Sequence, residues 1–296
     1  MLKTNLVRTS FLTHGLLFFV PTLGTIKNIE ADKSNDAANI RRLNGSPRSL
    51  DTLIISTDSS GHTVTRYLTE EEKSGAPKVA LNKQAMKFTK DYIRREQEAL
   101  EKILQRSATH FAMIDTIFAK YGLPLELKYL AIVESDLKTN AVSKVGAKGM
   151  WQLMPVTARE LGLKVTKKYD ERTHAYKSTV AAAKYLRYLY KEFGDWLLAL
   201  AAYNGGPGTV LKAIKQSGSR NFWALQNYLP AESRGHVKRF IGTHYFFEGT
   251  GSITTQTKAE AIAHKKLMTE YLASLSKKVP VAADSTRMAV VNTVLK

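Results

Sequence analysis

The chain has 296 residues, 44% of them hydrophobic, with 44 Lys and Arg against 26 Asp and Glu for a formal charge of +18. The hydrophobic content is enough for a packed core, and the lack of cysteine excludes disulfides, thiolate metal sites, a cysteine nucleophile and a lipidated N-terminal cysteine. The basic charge suits nucleic acid, a membrane surface or an acidic polymer, but the basic residues are scattered, without zinc-finger spacing or a base-reading helix.

Residues 1–26 are predicted to be a signal peptide. Lys3 and Arg8 provide a basic start, and residues 11–20 are mostly apolar. This apolar run is too short to cross a bilayer comfortably, and no Ala-x-Ala cleavage site follows it, so we expect cleavage within residues 24–31. The sequence therefore predicts an exported protein of the periplasm or cell envelope, and the missing cysteine argues against a lipoprotein.

Residues 27–80 read as a polar linker with several clusters of turn-forming residues. Only residues 53–55 and Val64 are apolar enough for short extended pieces. Residues 81–121 are predicted to be a helical extension, because apolar residues recur there as an intermittent stripe that Gly122 ends.

A helix carrying an acid on its apolar face is predicted next. Pro124 suits a first helical turn, and Leu127 and Leu130 recur at helical spacing. Glu134 continues the same face near the end of the helix. An apolar setting and the partial negative charge of a helix C-terminus both favour the protonated carboxyl, which is the form a general acid needs. An acid that is paired with a Lys or Arg, or solvated at the helix end, is the alternative interpretation.

The stretch after this acid is typical of a pocket wall. Gly146 and Gly149 allow positive φ angles or the close approach of another group. Residues 150–154 then combine flat apolar surface with the uncharged amide of Gln152, and Pro155 starts a new helix. Apolar faces with a few neutral donors and acceptors suit sugars.

Several further helices are predicted in the second half of the chain, and two of them follow one another directly. Residues 175–193 form one, which ends at Gly194, and residues 195–203 form a short apolar one. Residues 204–207 terminate the second, so Asn204 can also be interpreted as an ordinary helix-terminating residue. Three tyrosines of the first helix are interpreted as packing: Tyr185, Tyr188 and Tyr190.

Several separate motifs together resemble the catalytic domain of the soluble lytic transglycosylases, in particular the membrane-bound transglycosylase D type. The motifs are Glu134-Ser135, Ala141-Val142-Ser143, Gly146-Ala147, Gly149-Met150-Trp151-Gln152-Leu153-Met154-Pro155 and Ala202-Tyr203-Asn204-Gly205-Gly206-Pro207-Gly208. The resemblance covers about residues 123–247. It implies a mainly α, lysozyme-like (goose-type) fold, with a catalytic domain at residues 122–249.

The resemblance implies an enzyme that cleaves the MurNAc-GlcNAc β-1,4 bonds of peptidoglycan and leaves 1,6-anhydro-MurNAc ends. Glu134 would be the single catalytic residue, and glycan strands rather than nucleic acid the partner. No cofactor is expected, and the seven dispersed histidines predict no metal site. Family positions that contact the substrate correspond to six residues of this chain: Ser143, Met150, Gln152, Tyr203, Asn204 and His236.

This chain departs from the family pattern at one of these positions. Relatives usually carry a tyrosine where His236 stands, which puts the positioning of the acid in question while leaving the acid in place. Residues 250–296 are predicted to be a C-terminal helix, over residues 258–275, and a tail. Because the chain has no LysM repeat, recruitment to the wall is expected to depend on surface charge or on another cell-envelope protein.

Three alternatives from other functional classes follow from the same residues. A goose-type lysozyme would share the fold and the acid but hydrolyse the glycan. A non-catalytic wall-binding module would bind glycan without cutting it, and the intact Glu134-Ser135 pair argues against that reading. A nucleic-acid binder would explain the basic charge but not the secretory start.

Overall fold

The structure is a computed structural model that describes residues 53–58, 63–278 and 286–287. The predicted signal peptide, the first half of the predicted linker and most of the C-terminal tail lie outside the described residues. The strands and α-helices are β1 (Leu53–Asp58), β2 (Thr63–Tyr67), α1 (Glu70–Gly75), α2 (Lys83–Arg106), α3 (Ala108–Lys120), α4 (Leu130–Ser135), α5 (Pro155–Glu160), α6 (Ala175–Phe193), α7 (Trp196–Gly205), α8 (Pro207–Ser217), α9 (Phe222–Leu225), α10 (Ala231–Glu248), α11 (Lys258–Lys278) and β3 (Thr286–Arg287).

Residues 81–255 form one compact unit, and the described residues before and after this range form a second. In the second unit β1 pairs antiparallel with β2 and with β3, in the order β2-β1-β3. The short extended pieces expected within the linker are β1 and β2. The hydroxyl of Tyr271 on α11 donates to the carbonyl of Glu72 on α1 at 2.6 Å, and a small apolar cluster lies beside it.

The centre of the 81–255 unit is α7, which packs against α6, α8 and α10. Every residue from Leu197 to Ala202 has 0% exposure. A helix that is apolar all round lies inside a core, as this one does. Asp195 begins it as predicted, since its Oδ1 accepts the amide of Leu198 at 3.1 Å.

Helices α2 and α10 lie against one another in the same unit. A Cβ on Gly242 of α10 would come within 2.5 Å of the Tyr92 ring on α2, so glycine is needed for this close approach. The predicted helical segment 81–121 is divided into α2 and α3 at Ser107. The hydroxyl of Ser107 donates to the Leu104 carbonyl at 2.9 Å and satisfies the end of α2.

The mainly α fold class is confirmed by this arrangement. One local prediction needs correction, because Pro124 does not begin an α-helix that runs to the acid. It precedes a 3₁₀ turn at Leu125–Tyr129, and the α-helix proper begins only at Leu130. Pro124 has φ −54° and ψ 130°, which is extended backbone at the start of the turn.

Candidate active site

Glu134 is the penultimate residue of α4, as the sequence predicts. The two residues after the helix, Asp136 and Leu137, have φ angles of 53° and 63°. Their amides donate to the carbonyls of Ile132 at 2.8 Å and Ala131 at 3.1 Å, which closes the helix end with two consecutive left-handed residues. The chain therefore turns away sharply just beyond the acid.

The acid is paired with an imidazole from α10. Nε2 of His236 lies 2.8 Å from Oε1 of Glu134, and the two side chains are 2% and 12% exposed. Nδ1 of His236 is buried and has no partner among the described residues. Because a neutral imidazole carries one N–H, this geometry places it on Nε2, which donates to the carboxylate.

Glu134 has no Lys or Arg ion pair within the described part of the chain. The alternative sequence interpretation, a buried acid neutralised by a basic residue, is therefore not what the structure has. The partner is His236, which stands 102 positions further along the chain. Since imidazole can hold a carboxyl in place without carrying a permanent charge, the acid keeps its capacity to exchange a proton.

Tyr203 is near enough to the Glu134 carboxylate for the two groups to interact electrostatically. Burial, and then the Glu134 carboxylate, raise the pKa of Tyr203 well above its ordinary value of 10.0, so its hydroxyl stays neutral. That hydroxyl donates to the carbonyl of Trp151 at 2.8 Å. Trp151 is itself fully buried, and its indole N–H donates to Thr179 Oγ1 at 2.9 Å. Tyr203 thus ties α7 to the loop that follows the acid.

That loop, residues 146–153, is held by the buried side chain of Arg172. Its Nη1 donates to the carbonyls of Gly146 at 2.7 Å and Leu153 at 2.9 Å. Its Nε and Nη2 donate to the two carboxylate oxygens of Asp170 at 2.9 and 2.8 Å. Arg172 consequently joins both ends of the loop, and these hydrogen bonds are the main reason that the pKa of Asp170 is lowered to about 2.

Gly149 allows the loop to pass close to the backbone of Arg172. Its φ is 84°, and a Cβ at this position would lie 1.9 Å from the carbonyl oxygen of Arg172. Both predicted reasons for a glycine apply here, because φ is positive and another backbone group approaches closely. Gln152 also has a positive φ of 45°, and its Nε2 donates to the carbonyls of Gly149 at 2.8 Å and Ala141 at 3.2 Å.

The other predicted site residues support this wall. Ser143 Oγ accepts the amide of Ala147 at 2.9 Å, within the same loop. Met150 has 0% exposure, so its side chain lies behind the surface, and its carbonyl accepts Ser135 Oγ at 2.9 Å. Asn204 Oδ1 accepts the hydroxyl of Ser233 on α10 at 2.9 Å.

The structure pairs Glu134 with His236 and places Tyr203 within electrostatic range of the acid. The carbonyl of Met150 is bonded to Ser135, the neighbour of the acid. Ser143 and Gln152 form hydrogen bonds with the surrounding backbone, and Asn204 forms one with Ser233, rather than with the acid. Arg172 was not predicted from the sequence, because no local pattern shows that an arginine in one turn will hold a loop about twenty positions earlier.

No metal ligand set is formed by the site. Among the residues that the structure describes, no three His, Asp or Glu side chains converge in a way that could hold a metal ion. The expectation that neither metal nor cofactor takes part stays a prediction.

Residues 113–226 match the sequence model of the transglycosylase SLT domain family. This part of the chain is similar to an SLT domain. The resemblance noted in the sequence is confirmed over these residues, and the described fold is mainly helical. The lysozyme-like arrangement of the helices stays a prediction. The matched residues include Glu134, the loop and Tyr203, whereas α2 and α10 lie largely or wholly outside them.

Curated relatives with the same kind of sequence include membrane-bound lytic murein transglycosylase D of Escherichia coli K12. It is 37% identical over 180 residues, which are 59% of this chain and 38% of that protein. A putative tributyltin chloride resistance protein of an Alteromonas species is 40% identical over 110 residues, 37% of this chain and 53% of that protein. The chain therefore spans about two fifths to one half of these relatives.

Among solved structures, the 70 kDa soluble lytic transglycosylase of Escherichia coli is 26% identical, with a TM-score of 0.42. The likeness covers 49% of this chain and 26% of that one. A soluble lytic transglycosylase of Pseudomonas aeruginosa is 25% identical with a TM-score of 0.41, over 47% of this chain and 24% of that one.

In the described part of the chain, no helix combines the length and the apolar character needed to span a bilayer.

Proposed function

We propose that this protein is a peptidoglycan lytic transglycosylase, which cleaves the β-1,4 bond between MurNAc and GlcNAc and leaves a 1,6-anhydro-MurNAc end. The observation that carries the proposal is the buried pair of Glu134 and His236 at the end of α4, in which Glu134 has no Lys or Arg ion pair among the described residues. The position of Glu134 within the residues that match the SLT domain supports the same proposal. Glu134 is proposed as the single catalytic residue.

In the first step Glu134 acts as a general acid. Its Oε1 accepts the N–H of His236, so the proton that it donates is carried by Oε2. This proton passes to the bridging oxygen as the bond between that oxygen and C1 of MurNAc breaks. The oxocarbenium-like centre at C1 is assisted by the acetamido group of the same sugar, and Glu134 is left as a carboxylate.

In the second step the same carboxylate acts as a base. It removes the proton of the MurNAc C6 hydroxyl, whose oxygen attacks C1 and closes the 1,6-anhydro ring. The hydroxyl of the same sugar outcompetes water because its effective concentration is high. Glu134 is protonated again at the end, so the cycle needs neither a second carboxylate nor an added proton carrier.

The neighbouring residues are proposed to bind and orient the glycan. Tyr203 contributes a neutral hydroxyl beside the acid, and Gln152, Ser143 and Asn204 contribute uncharged polar groups of the surrounding wall. Met150 supports the wall from behind, through its contact with Ser135. We infer that the chain acts in the cell envelope and is exported by its first 26 residues, as its basic and apolar start indicates.

The decisive experiment is mass spectrometry of the fragments that the purified full chain releases from peptidoglycan sacculi. We expect 1,6-anhydro-MurNAc ends, which are one water lighter than hydrolysed ends. Reducing MurNAc ends would instead identify a hydrolase of the goose-type lysozyme kind. Sacculi that bind the protein but release no fragments would identify a non-catalytic wall-binding protein.

A further inference from the structure

A buried serine joins the end of α7 to the first turn of α10. Ser233 is 2% exposed, and its hydroxyl donates to Oδ1 of Asn204 at 2.9 Å. Gly205 leaves room for this contact, because a Cβ at its position would lie 2.5 Å from Ser233 Oγ. Ser233 stands beyond the family match, which ends at residue 226.

This contact determines which way the side-chain amide of Asn204 points. A serine hydroxyl has one hydrogen to donate, and within the described residues the hydroxyl of Ser233 bonds to Asn204 alone. If the amide were turned over, Ser233 Oγ would accept from Nδ2, and its own hydrogen would be buried without an acceptor, which costs free energy. The hydroxyl therefore holds Oδ1 towards α10 and directs the NH2 group away from it.

The NH2 group of Asn204 is left as an open donor near the acid. Nδ2 forms no hydrogen bond within the described part of the chain, and it is not enclosed by the protein. Ser233 and His236 are three positions apart on α10, which places them on neighbouring turns about 4.5 Å apart along the axis. Since His236 contacts Glu134, the amide is anchored one helical turn from the ring that holds the acid.

We propose that Ser233 is a positioning residue, which fixes Asn204 as a hydrogen-bond donor to the glycan. Asn204 then offers N–H groups and no free acceptor, so the sugar atom that it contacts is an oxygen and not an N–H group. Without the hydroxyl of Ser233 the amide can turn over, and the fraction of molecules that are ready to bind falls. The inference rests on the proposed function for its ligand.

The test is calorimetric titration of the full chain carrying Glu134→Gln with the tetramer of N-acetylglucosamine, so that the probe is not consumed. We expect Asn204→Ala to weaken binding about tenfold and Ser233→Ala to weaken it about threefold. Added to Asn204→Ala, Ser233→Ala should have no further effect, because the serine acts only through the amide. Asn204→Asp keeps the acceptor for Ser233 but has no N–H, so it should weaken binding at least as much as Asn204→Ala.

A conservative variant and a matched control separate positioning from packing. Ser233→Thr keeps the hydroxyl and should bind within about twofold of the parent. Ser178→Ala removes the hydroxyl of another buried serine, which is 1% exposed and donates to the carbonyl of His174 at 2.9 Å within its own helix. It should bind like the parent, and thermal unfolding of each variant shows whether the fold is kept.

Three results would overturn the role of Ser233. They are a parent that does not bind the tetramer, Asn204→Asp that binds like the parent, and an effect of Ser233→Ala that is undiminished when Asn204 is already alanine. Failure of the proposed reaction appears separately, in the fragments that the wild-type chain releases from sacculi.

Discussion

At the scale of single residues, the proposed chemistry depends on one carboxyl group and on the ring that holds it. Glu134 stands at a helix end where the following residues turn away, and His236 reaches it from α10 at 2.8 Å. The unpartnered Nδ1 of His236 leaves Nε2 as the nitrogen that donates. The donor therefore occupies one carboxylate oxygen and leaves the other for the substrate.

Glu134→Gln should abolish lysis while the fold is kept, because glutamine retains the shape and can still accept from His236 but has no transferable proton. We expect release of soluble fragments from sacculi to fall by a factor on the order of 10² to 10⁴. Asp136→Asn is a suitable control, since this carboxylate is exposed and paired with Lys138. Wild-type rates in Glu134→Gln would remove Glu134 from the mechanism.

His236→Phe keeps an aromatic ring on α10 but removes the donor to Glu134. We expect the lytic rate to fall on the order of a hundredfold, the scale of losing one positioned donor at a reacting group. His236→Tyr, which restores a donor, should recover much of the rate. Circular dichroism and thermal unfolding of both variants separate a positioning role from a folding defect, and equal rates in the two would argue against the donor.

At the scale of elements, the loop over residues 146–153 owes its shape to Arg172 and Gly149. Arg172 bonds both ends of the loop, and the backbone of Gly149 passes so close to its carbonyl that no side chain fits. Gly146 has the same φ of 84° but nothing within 4 Å of its Cβ position. A substitution at Gly146 therefore tests the cost of the positive φ alone, whereas one at Gly149 adds the cost of a steric clash.

Gly146→Ala should cost only the strain of a left-handed residue, about 1–2 kcal/mol in the free energy of unfolding. Gly149→Ala should cost about 1–3 kcal/mol more, because its Cβ would overlap a backbone oxygen rather than a movable side chain. Urea unfolding measures both values. Equal losses of stability in the two variants would show that the loop shifts freely away from Arg172.

Asp170 predicts a pH-dependent contribution from the same network. Its folded pKa of about 2 lies below the ordinary value of 3.8, so its stabilisation is present above pH 4 and is lost as the pH falls towards 2. Asp170→Asn should therefore be less stable than the wild type at pH 6, and the difference should shrink between pH 4 and pH 2.

Urea unfolding across this pH range measures the effect for Asp170→Asn. Asp91→Asn, which removes an exposed partner of Arg94, should be nearly neutral throughout. A destabilisation by Asp170→Asn that stays constant from pH 6 to pH 2 would contradict the assignment.

The sequence predicts those features that neighbouring residues determine. Pro155 starts α5, Gly194 ends α6 and Asp195 caps α7, since each depends on local backbone chemistry. The partners of Glu134 and of Gly146 come from distant positions, and periodicity carries no information about them. The resemblance to the family singled out His236, whereas nothing in the sequence singled out Arg172.

At the scale of the whole molecule, residues 81–255 contain the residues that match the SLT domain together with two helices that lie outside the match, α2 and α10. The predicted boundaries at residues 122 and 249 remain predictions, and so does the signal peptide. The charge of +18 belongs to the chain as a whole and does not distinguish among anionic partners.

Export predicts that the protein recovered from its own cells is shorter than the sequence. N-terminal sequencing should give a first residue within positions 24–31, and cell fractionation should place the protein in the envelope. Cytoplasmic protein that still begins at Met1 would refute the signal peptide. The lytic activity of the purified chain is measured independently of this result.

The helix that carries His236 begins at residue 231, after the family match has ended at residue 226. A protein trimmed to residues 113–226 would therefore lack the imidazole that contacts Glu134. It would also lose one of the helices that cover the apolar α7, so the cut would expose the centre of the core. The stretch of sequence that identifies the domain is thus shorter than the stretch that must be expressed for it to fold and hold its acid in place.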